Sequence, residues 1–384
     1  MTIAFLTTAA AFVGVTLATL YHQRWARRLP ALEALPAPAN GLPPIAVRCS
    51  AIVAARDEAA RVEATVRHLL AQQHISLEVI VVDDRSTDAT SEIMRRIGSG
   101  DPRVRTIRVD RLPDGWLGKS HACHTGASVA TGDWLLFTDA DCWLKPDVIA
   151  RALRVAARDA ADHITMTPGV TAGTVGARAW HLAFLGSLSN WISGVNRDRP
   201  NAHLGIGAFN LVRTSAYFAC GGYEALRLTV VDDVKLGLLL HRAGSRTRAF
   251  LGGEDVECHW GTTVPSMIKI MEKNYFAAVD FRLAPVAAGA TVFMMLFGIS
   301  IIGLWTSTPS GIAAGLAPWT LALPAAVFAR RLEWSLASAA VTPLLYPLLF
   351  FALVNSAVVT LRQGGVRWRD TFYSLDILRR GNVR

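Results

Sequence analysis

Three short acidic clusters have the residue types and spacing to do chemistry. They are Asp83-Asp84 in VIVVDDRSTD, Asp139-Ala140-Asp141 in WLLFTDADC, and Asp232-Asp233 in VVDDVKLG. The first two directly follow runs of strand-forming residues. A carboxylate at the end of a buried strand is costly to desolvate unless it binds something. Several of them on one α/β domain point to a hard divalent cation and a phosphorylated ligand. In the Asp-x-Asp turn, Asp139 and Asp141 can reach one Mg²⁺ or Mn²⁺, which would neutralise a departing diphosphate. The competing reading is a solvated turn, or a helix cap supplied by Asp141. Asp83 and Asp84 suit hydrogen bonds to a ribose or base, with capping of the next helix falling to Ser86 or Asp88. Asp232 reads as a helix cap, and Asp233 as a general base for an acceptor hydroxyl. Lys119, in GWLGK, lies outside any Walker pattern and suits a phosphate contact as a point charge.

The elements that must position these residues alternate between strand and helix. Val47–Ala54, Leu77–Val82, Val104–Val109 and Trp134–Thr138 read as strands. Ala59–Gln72, Thr90–Ile97 and Ser120–Val129 read as helices. That alternation predicts an α/β fold, a Rossmann-like, mostly parallel sheet covered on both faces. Ligands in such sheets sit beyond the carboxyl ends of the strands, where Asp83-Asp84 and Asp139–Asp141 fall. Trp180–Trp191 has few charges and aromatic ends, and reads either as an interfacial helix facing lipid or as an ordinary buried helix.

The 384-residue chain is 52% hydrophobic and only 18% charged, which predicts membrane spans beside a soluble core. Residues 1–22 read as an N-terminal anchor followed by the basic QRWARR, and residues 23–44 as a linker rich in Pro and Ala. The soluble domain is expected over 45–282, with a membrane region of up to three spans over 283–361 and a basic tail over 362–384. The net charge of +9 sits largely beside the apolar runs, as positive-inside topology and anionic lipid require. No basic face with stacking aromatics speaks for nucleic acid. Charge and count conflict at the end of the chain: three crossings after a cytosolic domain would put the basic GGVRWRDTFYSLDILRR outside, so one run is expected to be re-entrant or interfacial. The five cysteines form no zinc spacing. Cys258-His259 has ligand chemistry but no second pair beside it.

The order AARDEA (Ala54–Ala59), VVDDRSTDAT (Val81–Thr90), GWLGKSHA (Gly115–Ala122), TGDWLLFTDADCWLKPD (Thr131–Asp147), GAFNLVRTSAYFACGGY (Gly207–Tyr223) and VDDVKLG (Val231–Gly237) resembles glycosyltransferase family 2, with its GT-A fold. It is similar to the membrane members that act on ceramide, hopanoids or carotenoids. The resemblance covers about Ile45–His259. It implies an inverting transfer from a UDP-sugar to a lipid-like acceptor, with Mg²⁺ or Mn²⁺, at the cytosolic face of the inner membrane. It places Ala55, Arg56 and Glu58 near the nucleotide, Asp84 on uridine, Asp139 and Asp141 on the metal diphosphate, and Asp233 as base. Two departures stand out. Asp232 replaces the family's Glu, and no Gln-x-x-Arg-Trp follows the base; Lys273-Asn274 stands in its place. The second departure favours single transfer over a processive polysaccharide synthase. A non-catalytic scaffold is the remaining alternative, and the full set of carboxylates opposes it.

Overall fold

The computed structural model describes residues 1–35, 47–170, 174–259 and 261–383. The expected start of the soluble domain at Ile45, and residues 36–44 of the Pro/Ala linker, lie outside them. Eight strands form one sheet: β1 (Arg48–Ala55), β2 (Ser76–Asp84), β3 (Val104–Val109), β4 (Trp134–Asp139), β5 (Cys142–Leu144), β6 (His163–Val170), β7 (Asn210–Arg213) and β8 (Thr247–Cys258). Their order is β3-β2-β1-β4-β7-β6-β8-β5. β1 to β4 pair in parallel, and β7 runs antiparallel to both β4 and β6. This is the mostly parallel sheet that the alternation predicts.

Period-two alternation along β1 divides the core. Cys49, Ala51, Val53 and Ala55 face one apolar cluster, which the helices Val62–Leu70 and Val148–Arg158 cover. Ile52 faces the other, covered by the helices Gly118–Ser128 and Asp232–Arg242. Burial on both faces explains why the central strands are continuous apolar runs. The register then aligns the strand ends: Ala55 pairs with Asp83, and Ala54 with Asp139. Three strand termini thus meet along one edge.

Among the described residues, four helices are long and apolar enough to cross a membrane: Thr2–Trp25, Leu283–Leu304, Pro309–Arg331 and Leu336–Gln363. The helix Val175–Asn196, which contains the WHLAFLGSLSNW run, packs between β8 and these helices. One face of it is buried, as the buried-helix reading expects, while Trp191 is exposed.

Two terminal segments differ from their expected roles. Residues 26–35 are no free linker. Ala26, Leu29 and Leu35 are buried, and the carbonyl of Leu32 accepts from Arg154 at 3.2 Å. The C-terminal stretch is no loose tail either. It forms a hairpin of β9 (Gly365–Trp368) and β10 (Thr371–Ser374) and the helix Leu375–Gly381, and Leu375 and Leu378 bury against Phe276 and Phe281. Apolar residues spaced within the basic sequence dock it to the catalytic domain.

Candidate active site

A cavity of about 1010 Å³ opens at the aligned strand ends. Ala55, Arg56 and Glu58 line it from the loop after β1, Asp84 from β2, Lys119 from the helix Gly118–Ser128, Asp139 and Asp141 from the end of β4, and Asp233 from the helix Asp232–Arg242. Eight of the nine residues named from the sequence therefore meet in one place. The ninth, Asp83, turns away from the cavity. Its carboxylate accepts from the Ser86 amide and from Arg108, each at 2.9 Å. Asp83 thus shapes the β2 turn and pins it to β3, which leaves Asp84 to face the ligand space. Asp88 caps the following helix, accepting from the Thr90 amide in its first turn at 2.9 Å, whereas Ser86 does not. The Ser86 hydroxyl accepts from the Asp57 amide at 3.0 Å, and Asp88 accepts from the Ala59 amide at 3.1 Å. The β2 turn thereby fixes the β1 loop. Asp57 and Arg85, in these two turns, have positive φ (53° and 58°), strain of the kind stored at functional sites.

The carboxylates differ in their surroundings. Asp84 accepts a bidentate pair from Arg85, at 2.7 and 3.1 Å. Asp139 accepts from Lys119 Nζ at 2.6 Å. Burial works against the Lys119 charge, but Asp139, Asp232 and Asp233 outweigh it and raise its pKa well above the usual value. Asp141 is pushed up to about 7, first by burial and then by the like charges of Asp139 and Glu58. Glu58 Oε2 is buried without a hydrogen-bond partner. Crowded carboxylates with an unmatched oxygen fit a hard divalent cation, and the oxygen donors suit Mg²⁺ or Mn²⁺.

Asp233 is oriented by two backbone amides. Its Oδ2 accepts from Gly207 at 2.7 Å and its Oδ1 from Val234 at 2.8 Å. Burial, followed by the neighbouring Asp232, raises it to about 6. A Cβ on Gly207 would lie 3.1 Å from Asp139 Oδ2, 3.3 Å from Lys119 Nζ and 3.4 Å from Asp233 Oδ2. The three charged groups thus converge on a point where even a Cβ would be tight. The cap reading of Asp232 is corrected. Its side chain caps no amide; it is buried and accepts from the Tyr223 hydroxyl at 3.0 Å, with Lys119 at 3.9 Å.

The C-terminal hairpin supplies site residues that the sequence reading missed. Arg367, Trp368, Arg369 and Tyr373 line the cavity. Lys273 Nζ sits 4.1 Å from the centre of the Trp368 ring, and Arg369 pairs with Glu58 at 2.6 Å. An Arg-Trp pair is therefore present at the site. It lies on the hairpin beyond the last apolar run, and Lys273 meets it in space. The available signal is the RWR of VRWRD, far beyond the base in sequence.

The far arm of the cavity is apolar. Trp180, Phe184 and Leu188 line it from the helix Val175–Asn196, and Met267, Ile270 and Met271 from the helix Val264–Ala278.

Comparisons with known proteins bear on the fold and the activity class. The sequence model described as Glycosyl transferase family 2 matches residues 50–219. The 4,4'-diaponeurosporenoate glycosyltransferase of Staphylococcus haemolyticus (strain JCSC1435) is 26% identical over 283 residues, covering 71% of this chain and 70% of that protein. The protein of the same description from Staphylococcus aureus (strain USA300) is 26% identical over 200 residues, 48% of this chain and 49% of its own length, so the match spans about half of that relative. Among solved structures, the mannosyltransferase PcManGT from Pyrobaculum calidifontis, in complex with GDP-Man and Mn²⁺, superimposes with a TM-score of 0.56 at 18% identity, covering 94% of this chain and 99% of that one. At that identity the likeness concerns the fold.

Proposed function

We propose that this glycosyltransferase, whose residues 50–219 match the family 2 model, moves a sugar from a nucleotide sugar, a UDP-hexose, to a lipid-like acceptor with inversion. The observation that carries this reading is a single cavity with a charged end and an apolar arm. The charged end holds Asp84, Lys119, Asp139, Asp141 and Asp233. The apolar arm runs along helices that pack against the membrane segments. The relatives are named for diaponeurosporenoate, an acceptor of the same apolar kind.

In this reading Asp84 and the loop Ala55–Glu58 hold the nucleoside. Lys119 holds the diphosphate as a point charge. Asp139 and Asp141 would hold Mg²⁺ or Mn²⁺, which when bound offsets the charge of the leaving diphosphate. Asp233 takes the proton of the acceptor hydroxyl as its oxygen bonds to the anomeric carbon and the bond from that carbon to the phosphate oxygen breaks. The apolar arm keeps the acceptor oriented and excludes water from the anomeric centre. The test is to incubate the purified protein with radiolabelled UDP-hexoses and a total lipid extract, and to follow the lipids by mass spectrometry. A new glycolipid supports the reading, whereas UDP release without a lipid product, or no turnover with any donor, counts against it.

The hairpin closes the donor end. Its ion pairs with the β1 loop, Arg369 with Glu58 and Arg56 with Asp370, involve exposed partners and are worth little individually. The contact between Trp368 and Lys273 is better shielded. Burial, then Lys119, lowers Lys273 to about 8, so the face of the indole helps to keep this ammonium charged beside the diphosphate. A cation–π contact contributes about 0.5–2 kcal/mol, so Trp368→Ala should raise the donor KM by about 2–30-fold with a smaller change in kcat. Steady-state kinetics check this; an unchanged KM removes the hairpin from the donor site.

Topology follows from the same contacts. Arg331 donates to the carbonyl of Ala26 at 2.6 Å, and Arg28 pairs with Glu333 at 2.8 Å. The run Leu336–Gln363 therefore begins beside the inner end of the first span. It ends at the hairpin, against the active site. Both of its ends lie on the catalytic side, so this run dips into or lies along the membrane and only the other three cross. Nucleotide sugars are cytosolic, which puts the catalytic domain and the C-terminus inside, as the charge rule requires. In intact cells, a cysteine introduced at Ser307 should react with a membrane-impermeant thiol reagent, whereas one at Glu333 or Asp370 should not. Labelling at Asp370 but not at Glu333 would make Leu336–Gln363 a true span.

A further inference from the structure

Strand pairing joins the second metal-site carboxylate to two cysteines far apart in sequence. β5 and β8 run antiparallel, with Cys142 directly opposite Cys258. Both are buried, and their Sγ atoms are 2.8 Å apart. The Cys142 thiol also donates to Asp141 Oδ1, at 3.9 Å. One carboxylate oxygen of Asp141 and the two sulfurs all lie within 4.8 Å of one another. The backbone holds the cluster: the amide of His259 donates to the carbonyl of Asp141 at 3.0 Å, which continues the β5–β8 ladder past Cys258. We propose that Asp141, Cys142 and Cys258 form a binding site for a thiophilic divalent cation such as Zn²⁺ or Cd²⁺, whose occupancy inhibits the enzyme.

The donor set distinguishes this site from the one beside it. Asp139, Asp141 and Glu58 offer oxygen only, which suits Mg²⁺ and Mn²⁺. Two sulfurs and one oxygen suit a softer cation. Zinc–sulfur bonds of about 2.3 Å and zinc–oxygen bonds of about 2.0–2.2 Å let one ion reach atoms this close together. Tetrahedral coordination needs the sulfurs about 3.8 Å apart, so a small rotation of each cysteine side chain opens the pair. Water from the cavity fills the fourth position, and Asp141 is the way in, since it lines that cavity. The reaction balances as two thiols plus M²⁺ giving a dithiolate complex and two protons, with no change of oxidation state. Burial opposes free thiolates, and the charge of the cation makes up for this.

Inhibition follows because Asp141 cannot serve both ions. A soft cation held by the sulfurs takes this carboxylate away from the hard-cation site. That consequence rests on the proposed role of Asp141, whereas binding itself does not, so the two are tested separately. The full-length protein in detergent, reduced and with its five thiols confirmed by titration, is first titrated with Co²⁺. A thiolate-to-cobalt charge-transfer band saturating at one equivalent is expected, and it should vanish in Cys142→Ser/Cys258→Ser and in Cys258→Ala. Transfer activity at saturating Mn²⁺ is then titrated with Cd²⁺. Neither cysteine touches the substrate cavity, so both variants should keep the basal rate and be at least about ten-fold less sensitive to Cd²⁺ than the native protein. Absence of the band in the reduced native protein, or a Cys142–Cys258 disulfide in protein isolated under thiol protection, overturns the site. A band with equal Cd²⁺ sensitivity in all three proteins overturns the inhibition. If the band is present but Asp141→Asn remains active, the fault lies in the role given to Asp141, and the soft-cation site stands.

Discussion

Asp233→Asn should bind UDP almost normally and transfer sugar about 10²–10⁴-fold more slowly, the usual loss when a general base is removed. Three features favour this carboxylate. It faces the cavity at the point where Asp139 and Lys119 also converge. The amides of Gly207 and Val234 fix its plane, so no reorientation is needed as the proton moves. Its pKa of about 6 makes it a stronger base than a solvated aspartate, yet leaves it ionised at neutral pH. The sign for pH follows. Burial and Asp232 raise the pKa, so the competent base form dominates above about 6 and is lost below it. At saturating metal and donor, kcat should fall about ten-fold per unit on the acid side, and Asp233→Asn should lack that limb. Asp232 provides the contrast. Neighbours in a helix point about 100° apart, and Asp232 turns into the core against Tyr223. Asp232→Asn should retain more activity, with its loss coming from a less firmly held Lys119. Single-turnover rates and UDP affinities for both variants decide the matter. A nearly normal Asp233→Asn beside a dead Asp232→Asn would reverse the roles.

The parts of the site legible in the sequence are those set by one strand and the turn after it. Asp84 and Asp139 stand at the ends of buried, mostly apolar strands, and in a doubly covered parallel sheet such runs finish at the ligand edge. What was not legible depends on distant partners. Asp83 and Asp84 are indistinguishable as a pair of letters, and tertiary contacts such as Arg108 on β3 separate the structural residue from the one that lines the cavity. Asp232 looked like a cap because helix starts favour aspartate, but burial beside Tyr223 settles its contact. Trp368 lies beyond the last apolar run and reaches the site only because Leu375 and Leu378 dock the hairpin against Phe276 and Phe281. Cys258 found its pair in Cys142 only once β5 lay beside β8.

Asp141→Asn, or removal of divalent cations with EDTA, should abolish nearly all turnover. The argument is electrostatic. Asp139 already has a cationic partner in Lys119, at 2.6 Å. For Asp141, burial raises the pKa to about 7, with the charges of Asp139 and Glu58 adding to it and only weaker opposition from Arg61 and Lys119. A carboxylate left half-protonated at neutral pH is poorly satisfied by the protein alone, and a divalent cation is what would ionise it fully. Proton and metal then compete for the same oxygens, so apparent Mn²⁺ affinity should weaken as pH falls below about 7. That dependence separates metal binding from catalysis, because the base limb set by Asp233 lies lower, near 6. Isothermal titration of Mn²⁺ with UDP present, at several pH values, measures the first, and initial rates at saturating Mn²⁺ measure the second. Asp141→Asn should lose Mn²⁺-dependent UDP affinity, and Asp233→Asn should keep it. Full activity in EDTA, or an Asp141→Asn variant that still turns over, would leave Lys119 and Lys273 as the cations needed at the diphosphate.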